Sequence, residues 1–331
     1  MNNTLNVAIL GATGESGGLI LDGLLQSQEP KFKVKALARA SSLDKPEYSE
    51  LSRRGVVITA IDLNGSEEEL SKSLEGIDIV IASVPPNALD TQLPLARAAK
   101  KARVKRFVPA AYAMAVAPNS ISTAQNNKEN IYIELEKIGI PHTIIDVGWW
   151  HFGFVPRLPS GATDYAIALP DFLVNLIPGD GKMKTYIVDN RDVGSLVARI
   201  IADPRTINSR VMASGDVLTI NEMYEIAERL SGEKPERRYV SADELESMID
   251  IARGKIAAGQ VDYPTLVGCF WLEYYYSSFI NGDNSPAGAQ RLGYTLASDL
   301  YPDVKTISFE TFFADILGHK LTLPYSKRNN S

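Results

Sequence analysis

Val7-Ala8-Ile9-Leu10-Gly11-Ala12-Thr13-Gly14-Glu15-Ser16-Gly17-Gly18-Leu19 is the stretch that decides the fold. A short apolar run feeds into the glycines Gly11, Gly14 and Gly17, and an apolar helical pattern (Leu19, Ile20, Leu24, Leu25) follows. Strand, tight turn and helix in that order present backbone N–H groups at a helix N-terminus, the arrangement that carries a diphosphate. In this reading Gly11 turns the chain off the strand, Gly14 lets the diphosphate approach, and Gly17 lets the helix lie close on the sheet. Thr13, Glu15 and Ser16 line the same loop. The spacing is GxxGxxG rather than GxGxxG, so position carries more of the argument than pattern. The competing reading is that the glycines only make a tight strand-to-helix turn.

Working outward, apolar β-rich runs alternate with helical ones. Strands are expected at Val7–Leu10, Lys33–Ala38, Val56–Ile61, Ile77–Ala82, Arg106–Pro109 and His142–Val147. Helices are expected up to about Gln26, around Glu47–Arg54, and at Ser66–Leu74, Leu89–Lys101 and Asn127–Ile138. Each parallel crossover needs a helix, so the order predicts an α/β fold, a doubly wound parallel sheet (Rossmann). Past Trp149 the rhythm becomes irregular. A strand at Thr185–Val188, a helix at Val193–Ala202 and a capped helix starting near Thr219 are still legible. The expected organisation is a dinucleotide-binding Rossmann domain over 1–150 and a smaller irregular α/β substrate region over 151–325, partly laced into the first. Residues 326–331 form a polar tail.

Composition narrows the function class. The chain has 331 residues, a net charge of -6 and 22% charged residues, which suits a packed α/β protein with an appended region. The acidic balance argues against a nucleic-acid partner. The one dense basic run, Lys100, Lys101, Arg103, Lys105 and Arg106, is expected to be solvated charge at a helix end. A single cysteine, Cys269, excludes an internal disulfide, and its apolar neighbours suggest an inert buried thiol. His142, His151 and His319 lie far apart, so no metal is expected. Neither a signal peptide nor a membrane span is legible, which points to a cytoplasmic protein with no membrane partner. Homodimer formation stays open.

The strand ends indicate the cofactor. The second strand finishes at Arg39, with Ser41 behind it, where a NAD-specific site would carry a carboxylate. A cation and hydroxyls there suit the 2′-phosphate of NADP(H), because Arg pairs well with phosphate. Asp62, after the third strand, is placed to read the adenine or to cap a turn. After the fourth strand, Ser83 and Pro85 are expected to line the nicotinamide side.

The most specific combination is Val104-Lys105-Arg106-Phe107-Val108-Pro109, then Lys128 followed by a helix and Gly139-Ile140-Pro141-His142-Thr143-Ile144-Ile145. Together with the first glycine loop and the long block from Lys184 to Gly232, it resembles the isoflavone reductase and phenylcoumaran benzylic ether reductase group. That group falls within the NmrA-like atypical short-chain dehydrogenases. The resemblance implies bound NADP(H) and a catalytic lysine at Lys128, also close to the cofactor. The chain departs from the plant branch after the fifth strand, where Pro109-Ala110-Ala111-Tyr112-Ala113 replaces the usual Pro-Ser-Glu-Phe-Gly. Tyr112 becomes a second polar candidate for catalysis or substrate binding, with an amphipathic packing residue as the equal alternative. The Tyr-x-x-x-Lys of ordinary short-chain dehydrogenases is also missing, since Ala124 stands four before Lys128.

The segment Trp149-Trp150-His151-Phe152-Gly153-Phe154 follows the sixth strand, where a doubly wound sheet opens its ligand crevice. Trp149, Trp150, Phe152 and Phe154 are expected to wall a pocket for an aromatic or polyketide-like small molecule, with Phe270 and Trp271 either closing it or serving core packing or a subunit contact. His151 is a candidate acid or base, against the competing reading of a packed or hydrogen-bonded histidine among aromatics. The leading expectation is an NADPH-dependent reductase delivering hydride to a ketone, enone or quinone-methide-like acceptor. The alternatives are a dinucleotide-binding redox sensor and a redox-neutral dehydratase, isomerase or cyclase.

Overall fold

The structure is a computed structural model and describes residues 4–321, so the expected tail at 326–331 lies outside the described residues. The first half alternates as anticipated: β1 (Thr4–Leu10), α1 (Glu15–Gln26), β2 (Lys31–Arg39), α2 (Pro46–Arg53), β3 (Val57–Ile61), α3 (Glu67–Ser73), β4 (Ile79–Ala82), α4 (Gln92–Lys101), β5 (Arg106–Val108), α5 (Thr123–Ile138) and β6 (Thr143–Asp146). β1 to β5 form a parallel sheet in the order β3-β2-β1-β4-β5. The central strands β1 and β4 are apolar on both faces because helices cover both. Two cores result, one packing the sheet against α1, the other against α3, α4 and α5.

The sixth strand differs from a plain continuation. β5 has three residues, and its ladder to the next strand narrows to one parallel bridge between Phe107 and His142. Pro141, which has no N–H to give, stands at that point. Beyond the bridge, β6 pairs in parallel with β10 (Ser209–Met212), and β10 with β13 (Tyr294–Leu296). One strand from the C-terminal half, β10, thus lies beside the last strand of the N-terminal half, with β13 outside it.

The remaining elements, in chain order among those already given, are β7 (Trp149–Trp150), β8 (Leu176–Pro178), β9 (Thr185–Val188), α6 (Asn190–Ala202), β11 (Asp216–Leu218), α7 (Ile220–Ser231), β12 (Arg238–Val240), α8 (Ala242–Ala257), α9 (Tyr263–Tyr275), α10 (Pro286–Arg291), α11 (Ala297–Leu300) and α12 (Phe309–Leu317). β7, β9 and β11 make one small sheet, β8 and β12 another. α6 returns to pack on α1, capped by Asp189, whose carboxylate accepts the Arg191 N–H. α7 begins with a capping box: the Thr219 side chain accepts the Glu222 N–H and Glu222 accepts the Thr219 N–H.

The basic run is corrected in one member. Lys101 pairs with Glu68 and Lys105 with Asp78, both at the surface. Arg106, however, is buried at 3% exposure, donating to the Ile200 carbonyl (2.8 Å), Thr206 Oγ1 (2.8 Å) and the Asp203 carbonyl (2.7 Å). Burial pushes its guanidinium down to about 10. It ties β5 to the end of α6 by satisfying carbonyls that a helix terminus leaves without partners. Cys269 is buried, and burial raises its thiol to about 11, so it is a poor nucleophile.

Candidate active site

The glycine turn is built by close backbone approach. Gly11 has φ +87°, and a Cβ there would lie 2.0 Å from the Ser83 carbonyl oxygen at the end of β4. A Cβ on Gly17 would lie 2.0 Å from the Gly11 carbonyl oxygen. Gly14 is the N-cap of α1 and supplies no side-chain cap, so the positive end of a twelve-residue helix faces outward past an exposed residue without Cβ. Thr13 is exposed; Glu15 and Ser16 are half-buried in the first turn.

Around this turn the strand ends converge as the sheet register dictates. Leu10 of β1 is paired with Leu37 of β2 and Ala82 of β4. Arg39 pairs with Ile61 across β2 and β3, so exposed Arg39 and exposed Asp62 stand at neighbouring strand ends. Ser41 is exposed beside Arg39. The Asp62 carboxylate accepts the Asn64 N–H (2.9 Å), a turn-capping contact. Ser83 is half-buried, Pro85 exposed. An uncapped helix start, a turn with glycine at both 11 and 14 and an arginine at the second strand's end fit a diphosphate and a further phosphate.

Lys128 lies on α5, which starts at Thr123, four residues before the expected start. It therefore belongs to the second turn and is buried at 6% exposure. The Ser122 side chain caps the helix by accepting the Gln125 N–H. Glu273 of α9 accepts the Thr123 N–H (2.8 Å) and is held by Arg253 of α8 (2.8 Å). α5 also packs on the 86–91 turn after β4. The Lys128 ammonium donates to the Ala111 carbonyl (3.1 Å), in the loop following β5.

That loop is unusual. Tyr112 takes φ +48°, and its N–H donates to the Ile145 carbonyl (2.9 Å). Its ring packs in the core between the sheet and α1, with the hydroxyl buried and unpartnered. Burial drives that phenol far above its ordinary value. As placed, Tyr112 faces the core instead of an open substrate crevice, so its expected catalytic and substrate-contact roles are not supported by geometry.

The aromatic wall is also corrected. Trp149 is buried, stacked on Trp271 (4.9 Å between centroids) and edge-on to Phe154 and Tyr275, while its indole N–H donates to Ser278 Oγ (3.0 Å). Phe152 packs on Phe312. These rings form the C-terminal core because they find partners in 271–279 and 309–313. Trp150, Phe270 and Trp271 retain exposed surface. His151 is fully buried between Phe309 and Phe312, with neither ring nitrogen hydrogen-bonded. Burial lowers it to about 4, so near neutrality it is an uncharged core residue away from any opening.

Sequence reading missed the polar cluster behind Lys128. Asp146 at the end of β6 is fully buried and accepts the Tyr294 hydroxyl (2.6 Å) from β13 and the Ala113 N–H (3.4 Å). Arg210 of β10 holds Glu129 of α5 through two bonds of 2.8 and 2.6 Å. The available signal was a lone carboxylate in the buried strand Thr143-Ile144-Ile145-Asp146. Among the described residues, no group of three His, Cys, Asp or Glu side chains gathers as a metal site requires, and no helix is long and apolar enough to cross a membrane.

The sheet order and the glycine turn define a doubly wound α/β protein whose first helix starts, uncapped, behind a glycine turn. The chain belongs to the NmrA-like family, whose profile matches residues 3–262. It is 37% identical to the Asnovolin J 5',6'-dehydrogenase nvfM of Aspergillus novofumigatus, covering 96% of this chain and 97% of that one. It is 29% identical to the phenylcoumaran benzylic ether reductase TP7 of Nicotiana tabacum, covering 95% and 97%. Among solved structures, a leucoanthocyanidin reductase ternary complex from Vitis vinifera matches with TM-score 0.74 at 23% identity, covering 95% and 99%. AtPrR2 with NADP+ and (+)pinoresinol matches with TM-score 0.76 at 22% identity, covering 96% and 100%.

Proposed function

We propose that this chain is an NADPH-dependent oxidoreductase of secondary metabolism that reduces an aromatic or conjugated acceptor, a ketone, enone or quinone-methide-like compound. The observation that carries the reading is Lys128, a buried ammonium on a helix that packs against the turn after β4. The names of the relatives, a dehydrogenase and a benzylic ether reductase, support hydride chemistry. The solved neighbour with NADP+ and (+)pinoresinol supports the choice of cofactor and the aromatic substrate class.

In this reading 1–150 holds the cofactor and 151–325 shapes the substrate side. Gly11, Gly14 and Gly17, with the N–H groups opening α1, hold the diphosphate; Arg39 and Ser41 hold the 2′-phosphate; Ser83 and Pro85 flank the nicotinamide. The bound nicotinamide supplies the hydride. Lys128, with one N–H committed to Ala111 and others to give, stabilises negative charge on the acceptor oxygen and can supply its proton. Of the six expected wall residues, Trp150, Phe270 and Trp271 are half-buried and so keep some surface toward a planar substrate.

The test incubates the purified protein with NADPH and a panel of phenolic and polyketide carbonyl compounds while the nicotinamide absorbance is followed. Turnover with at least one compound is expected, and Lys128→Ala is expected to lower it by about 10²-fold or more while NADPH still binds. Undiminished turnover in Lys128→Ala removes the lysine's role. NADPH binding with no oxidation by any compound favours a redox sensor, and product formed without NADPH consumption favours redox-neutral chemistry.

A further inference from the structure

Asp146, Arg210 and Tyr294 project from one face of the β6-β10-β13 sheet toward α5. The register makes this so: Arg210 lies opposite Ile144 and Tyr294, and Asp146 is two residues beyond Ile144, hence on the same face. The charged and titratable groups around Asp146 are Lys128, Glu129 and Tyr132 from α5, Arg210 from β10 and Tyr294 from β13. A buried carboxylate needs a cation as well as hydrogen bonds. Arg210 is committed to Glu129 through both its terminal nitrogens, and Gln125 adds a further bond to Glu129 (2.8 Å). Among the described residues Lys128 stands in no ion pair at contact distance, with Asp146 or any other carboxylate; its ammonium is tied to Ala111, two residues along the same turn from the Ala113 N–H that meets Asp146, so one turn links the two buried groups. That turn is fixed by the left-handed Tyr112 backbone and by the Val147 and Gly148 N–H groups, which both donate to the Ala113 carbonyl.

We propose that Asp146, held by Tyr294 from the far strand, is the buried counter-charge that positions Lys128. Asp146 is a positioning residue: it acts through Lys128 and through the 111–113 turn, and β13 of the C-terminal half supplies the hydroxyl that orients it. Its carboxyl is raised by burial and pulled back first by Lys128, then by the Tyr294 hydrogen bond and Arg210. The functional meaning rests on the proposed role of Lys128, but the pairing itself is independent of any substrate.

The experiment follows the Asp146 side-chain carbonyl by NMR in aspartate-labelled full-length protein, assigned by its loss in Asp146→Asn, through a pH titration. Lys128→Met is expected to raise the Asp146 midpoint by about one unit, tenfold in proton affinity, while Lys128→Arg keeps it near the wild-type value. Lys128→Gln serves as a second neutral variant if the methionine does not fold. Tyr294→Phe, expected to raise the same midpoint, shows that the signal reports this environment. A midpoint unmoved by loss of the lysine charge, with Tyr294→Phe still shifting it, overturns the pairing. A raised midpoint together with undiminished turnover in Lys128→Ala keeps the pairing and discards the catalytic reading of Lys128.

Discussion

Gly23 of α1 and Gly194 of α6 touch backbone to backbone: a Cβ built on Gly23 would lie 2.1 Å from the Gly194 carbonyl carbon, and one on Gly194 would lie 2.1 Å from the Leu19 carbonyl oxygen. The contact brings a helix of the C-terminal half onto the helix that starts at the glycine turn. Neither glycine has a positive φ, so closeness and not backbone conformation demands them. Gly194→Ala must push α6 away from α1. The expected cost is about 1–3 kcal/mol, seen as a lowered midpoint in urea unfolding with the slope unchanged. A variant as stable as the parent means the two helices part without penalty.

A second substitution separates packing from cofactor binding. Alanine at Gly17 would place its Cβ 2.0 Å from the Gly11 carbonyl oxygen, so the turn between β1 and α1 has to open. NADPH affinity measured by fluorescence is expected to fall by about tenfold or more, since misplacing the N–H groups that meet the diphosphate costs at least one charge-assisted bond. Gly18→Ala is the control, because its Cβ would meet only the Ala12 carbonyl oxygen at an ordinary 3.8 Å. Equal losses in both variants would contradict the assignment of the turn.

Arg39 sets the coenzyme preference in the proposed reading. It is exposed at the end of β2, and among the described residues no carboxylate stands within ion-pair distance of it. An arginine in no such ion pair is available to a phosphate. Arg39→Gln is expected to lower the NADPH-over-NADH affinity ratio by about 10-fold to 100-fold, and to leave NADH binding nearly unchanged. Titrating both coenzymes against both proteins decides it, and an unchanged ratio places the 2′-phosphate elsewhere.

What could be seen in the sequence follows from how local each signal is. The glycine turn and the six apolar strand runs depend on neighbours in the chain, and they lie where expected to within a few residues. The start of α5 is equally local: Ser122 caps it four residues before the expected Asn127, through its side chain and the Gln125 N–H. Arg106 was expected at the surface because a basic run looks solvated; its partners Ile200, Asp203 and Thr206 lie about a hundred residues away, beyond any local pattern. The aromatic stretch after β6 looked like a pocket wall for the same reason. Its rings are consumed by residues of α9 and α12, and sequence spacing cannot tell an aromatic core from an aromatic slot.

The last prediction turns on His151. Its ring is enclosed by Phe309 and Phe312, and the nearest carboxylate, Asp189, is 3.9 Å away and already bonded to Arg191. Burial lowers the imidazole from 6.5 to about 4 in the folded protein. The unfolded chain therefore binds the proton first, and stability must fall as pH drops below 6.5, with no effect above it. By pH 4.5 the loss from this one group is expected to be about 2–3 kcal/mol. Asp192 works in the opposite direction, because burial pushes its carboxyl up to about 6 and the fold then gains a proton on acidification. The measurement is accordingly a difference: urea unfolding of wild type and His151→Phe at pH 7 and pH 4.5. The gap between the two proteins should move by about 2–3 kcal/mol in favour of the phenylalanine variant at the lower pH. A gap that does not change with pH would mean that His151 meets water or a partner on protonation, and would reopen its candidacy as an acid or base.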